Sequence, residues 1–218
     1  MIYYRSPIEG FNPLDPEVTF NKIAKNLMHN YCIQCGKEQF YFAEIEFYYY
    51  KTTDQNKFDK ISNWEGVTYD RNTNAGDLFY HLSGCDICFD SNINKLNKEL
   101  ISEGGGILIR SLSDKTGKII TAGPMNCVNT MLNACGKEKA PYLSQIDKSI
   151  VYDINVCPTY RYLGSNDFKI IKDNIKDKTN RDGNLKLAYY NDKISIDAWN
   201  KARPSYYNSR FNLSSTNK

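Results

Sequence analysis

The 218-residue chain carries 28 Lys and Arg against 25 Asp and Glu, a formal net charge of +3, which permits nucleic-acid binding through a local patch without demanding it. The hydrophobic share of 41% is slightly low, but 13% of the residues are aromatic, with 17 Tyr and 10 Phe; this argues against general disorder and places ring surface in the core and some tyrosines along a polar cleft. No apolar run reaches the roughly 18 residues of a membrane helix, Met1-Ile2-Tyr3-Tyr4-Arg5 lacks the regions of a signal peptide, and seven cysteines fit a reducing compartment, so a soluble, cytoplasmic protein with no membrane partner is expected. No Pro/Gly/Ser-rich linker interrupts the chain, which predicts one domain over residues 1–218 with a polar tail after about residue 212.

The first element opens at Asp15-Pro16-Glu17, a capping residue followed by proline at the first helical position. Phe20, Ile23, Ala24, Leu27, Met28 and Tyr31 then follow the i, i+3, i+4, i+7 spacing of an amphipathic helix, which a turn around Cys35-Gly36-Lys37 ends. His29 lies near the edge of that stripe and is expected to be solvated. From Gln39 to Tyr50 the period changes to two. Tyr41, Ala43, Ile45, Phe47 and Tyr49 form a core face; Phe40, Phe42, Glu44, Glu46, Tyr48 and Tyr50 form the other. Residues 51–75 are polar and predict a long loop.

A second strand is expected from Leu78 to Phe89, broken at Gly84, with Cys85, Ile87 and Phe89 on one face and Asp86, Cys88 and Asp90 on the opposite one. Ile93, Leu96, Leu100 and Ile101 suggest a short helix or polar excursion. Gly104-Gly105-Gly106 is expected as a turn into a strand from Ile107 to Leu112, apolar on both faces apart from Arg110 and Ser111. The glycines lack the lysine of a phosphate loop and precede a strand rather than a helix, so they are not a nucleotide site. Gly123-Pro124 opens a helix with Met125, Val128 and Leu132 on one side, and further strands are expected near Ile150–Val156 and Leu185–Tyr190.

Two patterns bear on chemistry. Glu44 and Glu46 are two apart on a strand, so both point the same way, with Tyr48 beside them. A carboxylate walled by rings is desolvated, a setting that suits a general base. Arg110, on an otherwise apolar strand, needs a carboxylate partner if buried, and Glu44, Glu46, Asp86 and Asp90 are the candidates. The plainer alternative is a half-exposed strand face with a structural ion pair. The second pattern is a pair of C-x-x-C motifs, Cys32–Cys35 and Cys85–Cys88, a spacing known from structural zinc sites. The second motif falls in a strand, where successive positions face opposite ways, so buried cysteines acting as small hydrophobes are expected, with no metal. His81 is either a satisfied sheet residue or part of a binding pocket.

At these residues the sequence resembles the alkyladenine (3-methyladenine) DNA glycosylase family. Glu44-Ile45-Glu46-Phe47-Tyr48 is similar to the family's Glu-Thr-Glu-Ala-Tyr strand, Leu108-Ile109-Arg110-Ser111-Leu112 to its Leu-Leu-Arg-Ala-Leu strand, and Gly123-Pro124 to its Gly-Pro before a helix. The likeness runs over about residues 38 to 135. It implies an α+β fold with a curved, mainly antiparallel sheet and flanking helices, and cleavage of the N-glycosidic bond of a modified base in DNA. By resemblance Glu46 is the general base, Arg110 orients it or its water, and Tyr48 stacks on the flipped base. Tyr80 matches a second stacking ring, and the family's pocket Asn falls at Asp90 or, with a gap, at Asp86. His81, from its place in the presumed pocket strand, and Glu44 are the other candidate base-binding residues, and no cofactor is required. The sequence departs from the family in having no His in residues 51–75 and in placing Ser83 where the family has a wedging Tyr. Those departures favour the alternative of a non-catalytic nucleic-acid-binding module.

Overall fold

The computed structural model describes residues 16–53, 57–59, 72–90, 92–93, 101–137, 139–150, 152–162, 185–193 and 206–207. They form an α+β unit of two helices on one curled antiparallel sheet. Helix α1 (Pro16–Asn30) leads into β1 (Tyr31–Cys35) and the long β2 (Glu38–Thr53), followed by β3 (Lys57–Asp59), the hairpin β4 (Leu78–His81) and β5 (Gly84–Cys88), β6 (Asn92–Ile93), β7 (Ile101–Ser113) and β8 (Ile119–Ala122). Helix α2 (Pro124–Cys135), β9 (Tyr142–Gln145), β10 (Val156–Tyr162), β11 (Leu185–Asn191) and β12 (Tyr206–Tyr207) complete them. The main strand order is β12-β10-β11-β2-β7-β5-β4, with β1 and β3 also on β2, β6 and β8 also on β7, and β9 on β1.

The apolar spacing of α1 works as expected: Phe20, Ile23, Ala24, Leu27 and Met28 are all buried. The helix nevertheless stops at Asn30, and Tyr31–Cys35 is a strand, not the last turn of the helix. Gly36 at φ 61 allows the chain to reverse there, so β1 pairs antiparallel with the start of β2. His29 is not simply solvated. Its Nδ1 lies 2.7 Å from the Lys25 carbonyl and its Nε2 3.0 Å from the Ile154 carbonyl, which ties α1 to the segment before β10.

The sheet buries one face against both helices. Phe20 of α1 stacks on Phe47 of β2 with ring centroids 4.4 Å apart, and Tyr189 of β11 meets Phe47 edge-on at 5.4 Å. Ile45, Ile87, Ile107 and Ile109 join the same core, with Cys127, Val128 and Met131 from α2. The buried stripe of α2 is therefore Cys127, Val128 and Met131, while Met125 and Leu132 are exposed; of the expected side, only Val128 faces inward.

Several sequence expectations shift in the sheet. Gly104-Gly105-Gly106 is not a turn but lies within β7, directly across from Tyr50, Tyr49 and Tyr48. The strict alternation expected for β2 also breaks: Phe42 belongs to the main core, and Ala43 packs with Tyr190 in a separate cluster. A register irregularity between Phe42 and Glu44 shifts the side-chain parity there. The strand expected near Ile150–Val156 begins only at Val156, and Tyr152 instead docks its ring on Tyr41, its hydroxyl 3.1 Å from Ser113 Oγ. Asn92-Ile93 forms a short strand on β7, and Ile101 opens β7 itself. Leu96, Leu100, Asp15, Tyr3 and the tail after 212 lie outside the described residues.

The expected break at Gly84 is a tight β4–β5 hairpin with Leu82-Ser83 at its tip. Gly84 has φ +147, and a Cβ there would stand 2.7 Å from Pro124 Cβ and 2.9 Å from Leu108 Cδ1. Gly84→Ala should therefore cost about 1–3 kcal/mol through overpacking, seen as a lower urea midpoint with unchanged slope; an unchanged midpoint would show that the hairpin and α2 separate freely.

Candidate active site

With Ile45 and Phe47 turned into the core, Glu44, Glu46 and Tyr48 occupy the opposite face of β2. Residues directly across from each other in an antiparallel pair share a face. Phe79 of β4, Asp86 of β5, Leu108 of β7 and Glu46 of β2 accordingly form one row on that face, and Cys88, Gly106 and Tyr48 form the next. Asp86 and Glu46 are two strands apart, which the usual inter-strand spacing puts at about 10 Å.

Two irregularities in the β2–β7 ladder build the centre of the site. Between Phe42↔Leu112 and Glu44↔Ser111, β2 advances by two residues and β7 by one. Between Glu44↔Ser111 and Ile45↔Ile109 the imbalance is reversed, with Arg110 as the extra residue. The two cancel, so register is regained outside the site, as bulges next to functional centres commonly allow. Inside it, Arg110 reaches both carboxylates: Nε lies 3.1 Å from Glu44 Oε1 and Nη1 3.4 Å from Glu46 Oε2. The Ser111 hydroxyl donates to Glu44 Oε2 at 3.0 Å, and the Tyr48 hydroxyl donates to Glu46 Oε1.

This network is sealed. Glu44 and Glu46 expose none of their surface and Arg110 only 8%. One guanidinium held between two enclosed carboxylates is a strong Coulombic arrangement, and each ion needs the others to offset its own desolvation.

A second polar pair sits further along the same face. The Ser83 N–H donates to His81 Nδ1 at 3.1 Å, which leaves Nε2 to carry its hydrogen toward Asp86 Oδ1 at 3.2 Å. The Phe79 ring stacks on the imidazole with centroids 5.9 Å apart.

Glu44, Glu46, Tyr48 and Arg110 are thus brought together, with His81 and Asp86 on the same face. Tyr80 and Asp90 are not. Tyr80 is opposite Cys85, whose side chain belongs to the core cluster, so its ring lies on the other side of the sheet from Glu46. There it contacts Cys85, and burial pushes its phenol well above the usual tyrosine value. The expected stacking partner fails by one position of strand parity: the ring on the site face is Phe79. Asp90 instead accepts the Ala75 N–H at 2.6 Å and anchors the turn before β4.

Sequence reasoning also left Ser111 without a role, although its hydroxyl on an apolar strand was the available signal. Phe79 was legible in principle from its two-residue spacing to His81. Cys85 and Cys88 are strand residues, and all four cysteines of the C-x-x-C motifs are buried. Among the described residues no three His, Cys, Asp or Glu side chains are grouped to hold a metal ion, and no helix is long and apolar enough to cross a membrane.

The chain matches no protein-family model, no curated protein and no solved structure. The likeness to the glycosylases therefore rests on the motif residues themselves.

Removing Arg110 would leave two carboxylates enclosed without their cation. Arg110→Met should destabilise the protein by roughly 3–5 kcal/mol, measured by urea unfolding. Adding Glu44→Gln and Glu46→Gln in the same chain should restore much of the loss. Equal instability of the single and triple variants would mean that Arg110 acts by shape and not by charge.

Proposed function

We propose that the chain is a DNA glycosylase, a hydrolase that removes a damaged or modified base, with Glu46 as its general base. The observation that carries this reading is the placement of Glu46 between the Tyr48 hydroxyl and the Arg110 guanidinium, on the face of β2 opposite the Ile45 and Phe47 core. Both groups fix the carboxylate in one orientation, which is what a base needs if it is to meet a water along a defined line.

In the proposed reaction the target nucleotide is extruded from the stack, at the cost of its stacking and pairing. A water then gives a proton to Glu46 while its oxygen bonds to the anomeric carbon. The N-glycosidic bond breaks and its electron pair leaves with the base. Arg110 holds Glu46 and, with Glu44, keeps the local charge balanced as Glu46 gains its proton. His81 and Asp86, with the Phe79 ring, offer hydrogen bonds and an aromatic surface to the departing base. Because Glu46 is fully covered, nucleic-acid binding has to open the surface above it, so chemistry is coupled to a conformational step.

The complete enclosure of both carboxylates favours a second reading. In it the network is a structural ion pair and the chain is a nucleic-acid-binding module without catalysis. The turn of Tyr80 to the far face supports it too, since the two stacking rings then do not share a site.

The two readings separate in a base-release assay on a panel of modified oligonucleotides, single- and double-stranded. Glu46→Gln should keep fold and DNA affinity but lower base release by about 10² to 10⁴ in single turnover, the usual worth of a positioned base. Glu44→Gln should cost less. Release by Glu46→Gln at the wild-type rate would sink the mechanism, and tight DNA binding by an inactive wild type would establish the binding module.

A further inference from the structure

We propose that Cys35 and Cys135 form a reversible disulfide when the protein meets hydrogen peroxide, stapling the end of α2 to the turn between β1 and β2. The pair is brought together by two elements a hundred residues apart in the chain. Cys35 is the last residue of β1 and Cys135 the last of α2. Beside them the two backbones touch: a Cβ on Gly36 would stand 3.5 Å from the Ala134 carbonyl oxygen. The Cys135 thiol is also near enough to help push the Cys35 thiol up. A disulfide demands close approach of the two backbones, and this contact supplies it.

The surroundings assign each thiol a part. Cys32, Cys35, Cys85, Cys88 and Cys127 are buried, whereas Cys135 and Cys157 are half-buried. The Cys157 thiol is turned to the Asn155 carbonyl, at 3.9 Å. That makes Cys135 the reachable thiol with another thiol against it. Burial, and next the nearness of Cys135, push the Cys35 thiol up, so Cys35 is not the first attacker.

The chemistry balances with peroxide as the oxidant. The Cys135 sulfur attacks one peroxide oxygen, an S–O bond forms as the O–O bond breaks, and the leaving hydroxide takes the thiol proton to become water. The Cys35 sulfur then attacks the resulting sulfenic sulfur. The S–S bond forms, the S–O bond breaks, and the departing hydroxide leaves as a second water with the Cys35 proton. Two thiols are oxidised by two electrons in all, and one peroxide is reduced to two waters. A dithiol reductant reverses the step by exchange.

The test uses the full chain exposed to hydrogen peroxide, with remaining thiols blocked by N-ethylmaleimide, then digested and examined by mass spectrometry without reduction. The expected result is a peptide cross-linked through Cys35 and Cys135, lost on dithiothreitol treatment and absent from Cys135→Ser, with Cys157→Ser retaining it. The oxidised protein should also melt higher than the reduced one, because the staple closes a long loop. Alkylation of all seven cysteines after peroxide treatment would overturn the proposal. So would a cross-link through any other pair, or conversion of Cys135 to a sulfinic acid with Cys35 still free.

Discussion

The sheet is organised around the burial of a cation between two anions. Glu44, Arg110 and Glu46 could each be tolerated inside the protein only with the others in place, since an isolated enclosed charge costs several kcal/mol even after relaxation. β2 and β7 must therefore stay in one register over their whole length, because sliding either strand by a residue would turn the ions toward the apolar core and the isoleucines out of it. The paired irregularities at Ala43 and Arg110 satisfy both demands. They let Arg110 reach two carboxylates on neighbouring positions without disturbing the ladder on either side.

The two faces of the sheet then do different work. The inner face is a continuous packing of aliphatic and aromatic side chains against α1 and α2, with Phe47 in ring contact with both Phe20 and Tyr189. The outer face concentrates titratable and hydrogen-bonding groups, from His81 and Asp86 through Glu46 to Glu44 and Ser111. A stiff apolar layer behind a polar one is how an orientation-sensitive site is held to tolerance, since ring packing behind β2 resists the small strand shifts that would misalign Glu46. Of the cysteines, Cys32, Cys35, Cys85 and Cys127 belong to the core on the inner face, while Cys88 lies on the outer one in the row of Gly106 and Tyr48.

A buried network of this kind supports either catalysis or architecture, and the chemistry of the partners is what distinguishes them. Tyr48 and Arg110 both address Glu46, so the carboxylate has two orienting contacts and a hydroxyl able to follow its protonation. The Ser83–His81–Asp86 chain adds an imidazole whose tautomer is set by a backbone N–H, which makes it a directional donor rather than a swivelling ring.

Local regularities were legible in the sequence because they follow from backbone period. The stripe of α1, the Gly-Pro start of α2, the shared face of Glu44, Glu46 and Tyr48, and the need of Arg110 for a carboxylate all follow from spacing and desolvation, and the structure has them. What spacing could not supply is everything that depends on which strand lies beside which. The Gly104-Gly105-Gly106 run looks like a turn until Tyr48, Tyr49 and Tyr50 are found across from it. Tyr80 looks like a pocket ring until Cys85 places it on the core side, and Asp86 cannot be chosen over Asp90 without the row that joins it to Glu46. One bulge reverses the parity of a strand, and a bulge is set by the pairing of two segments far apart in the chain. For that reason the residue types of the site could be read from the sequence, while their common face was decided only by the tertiary structure.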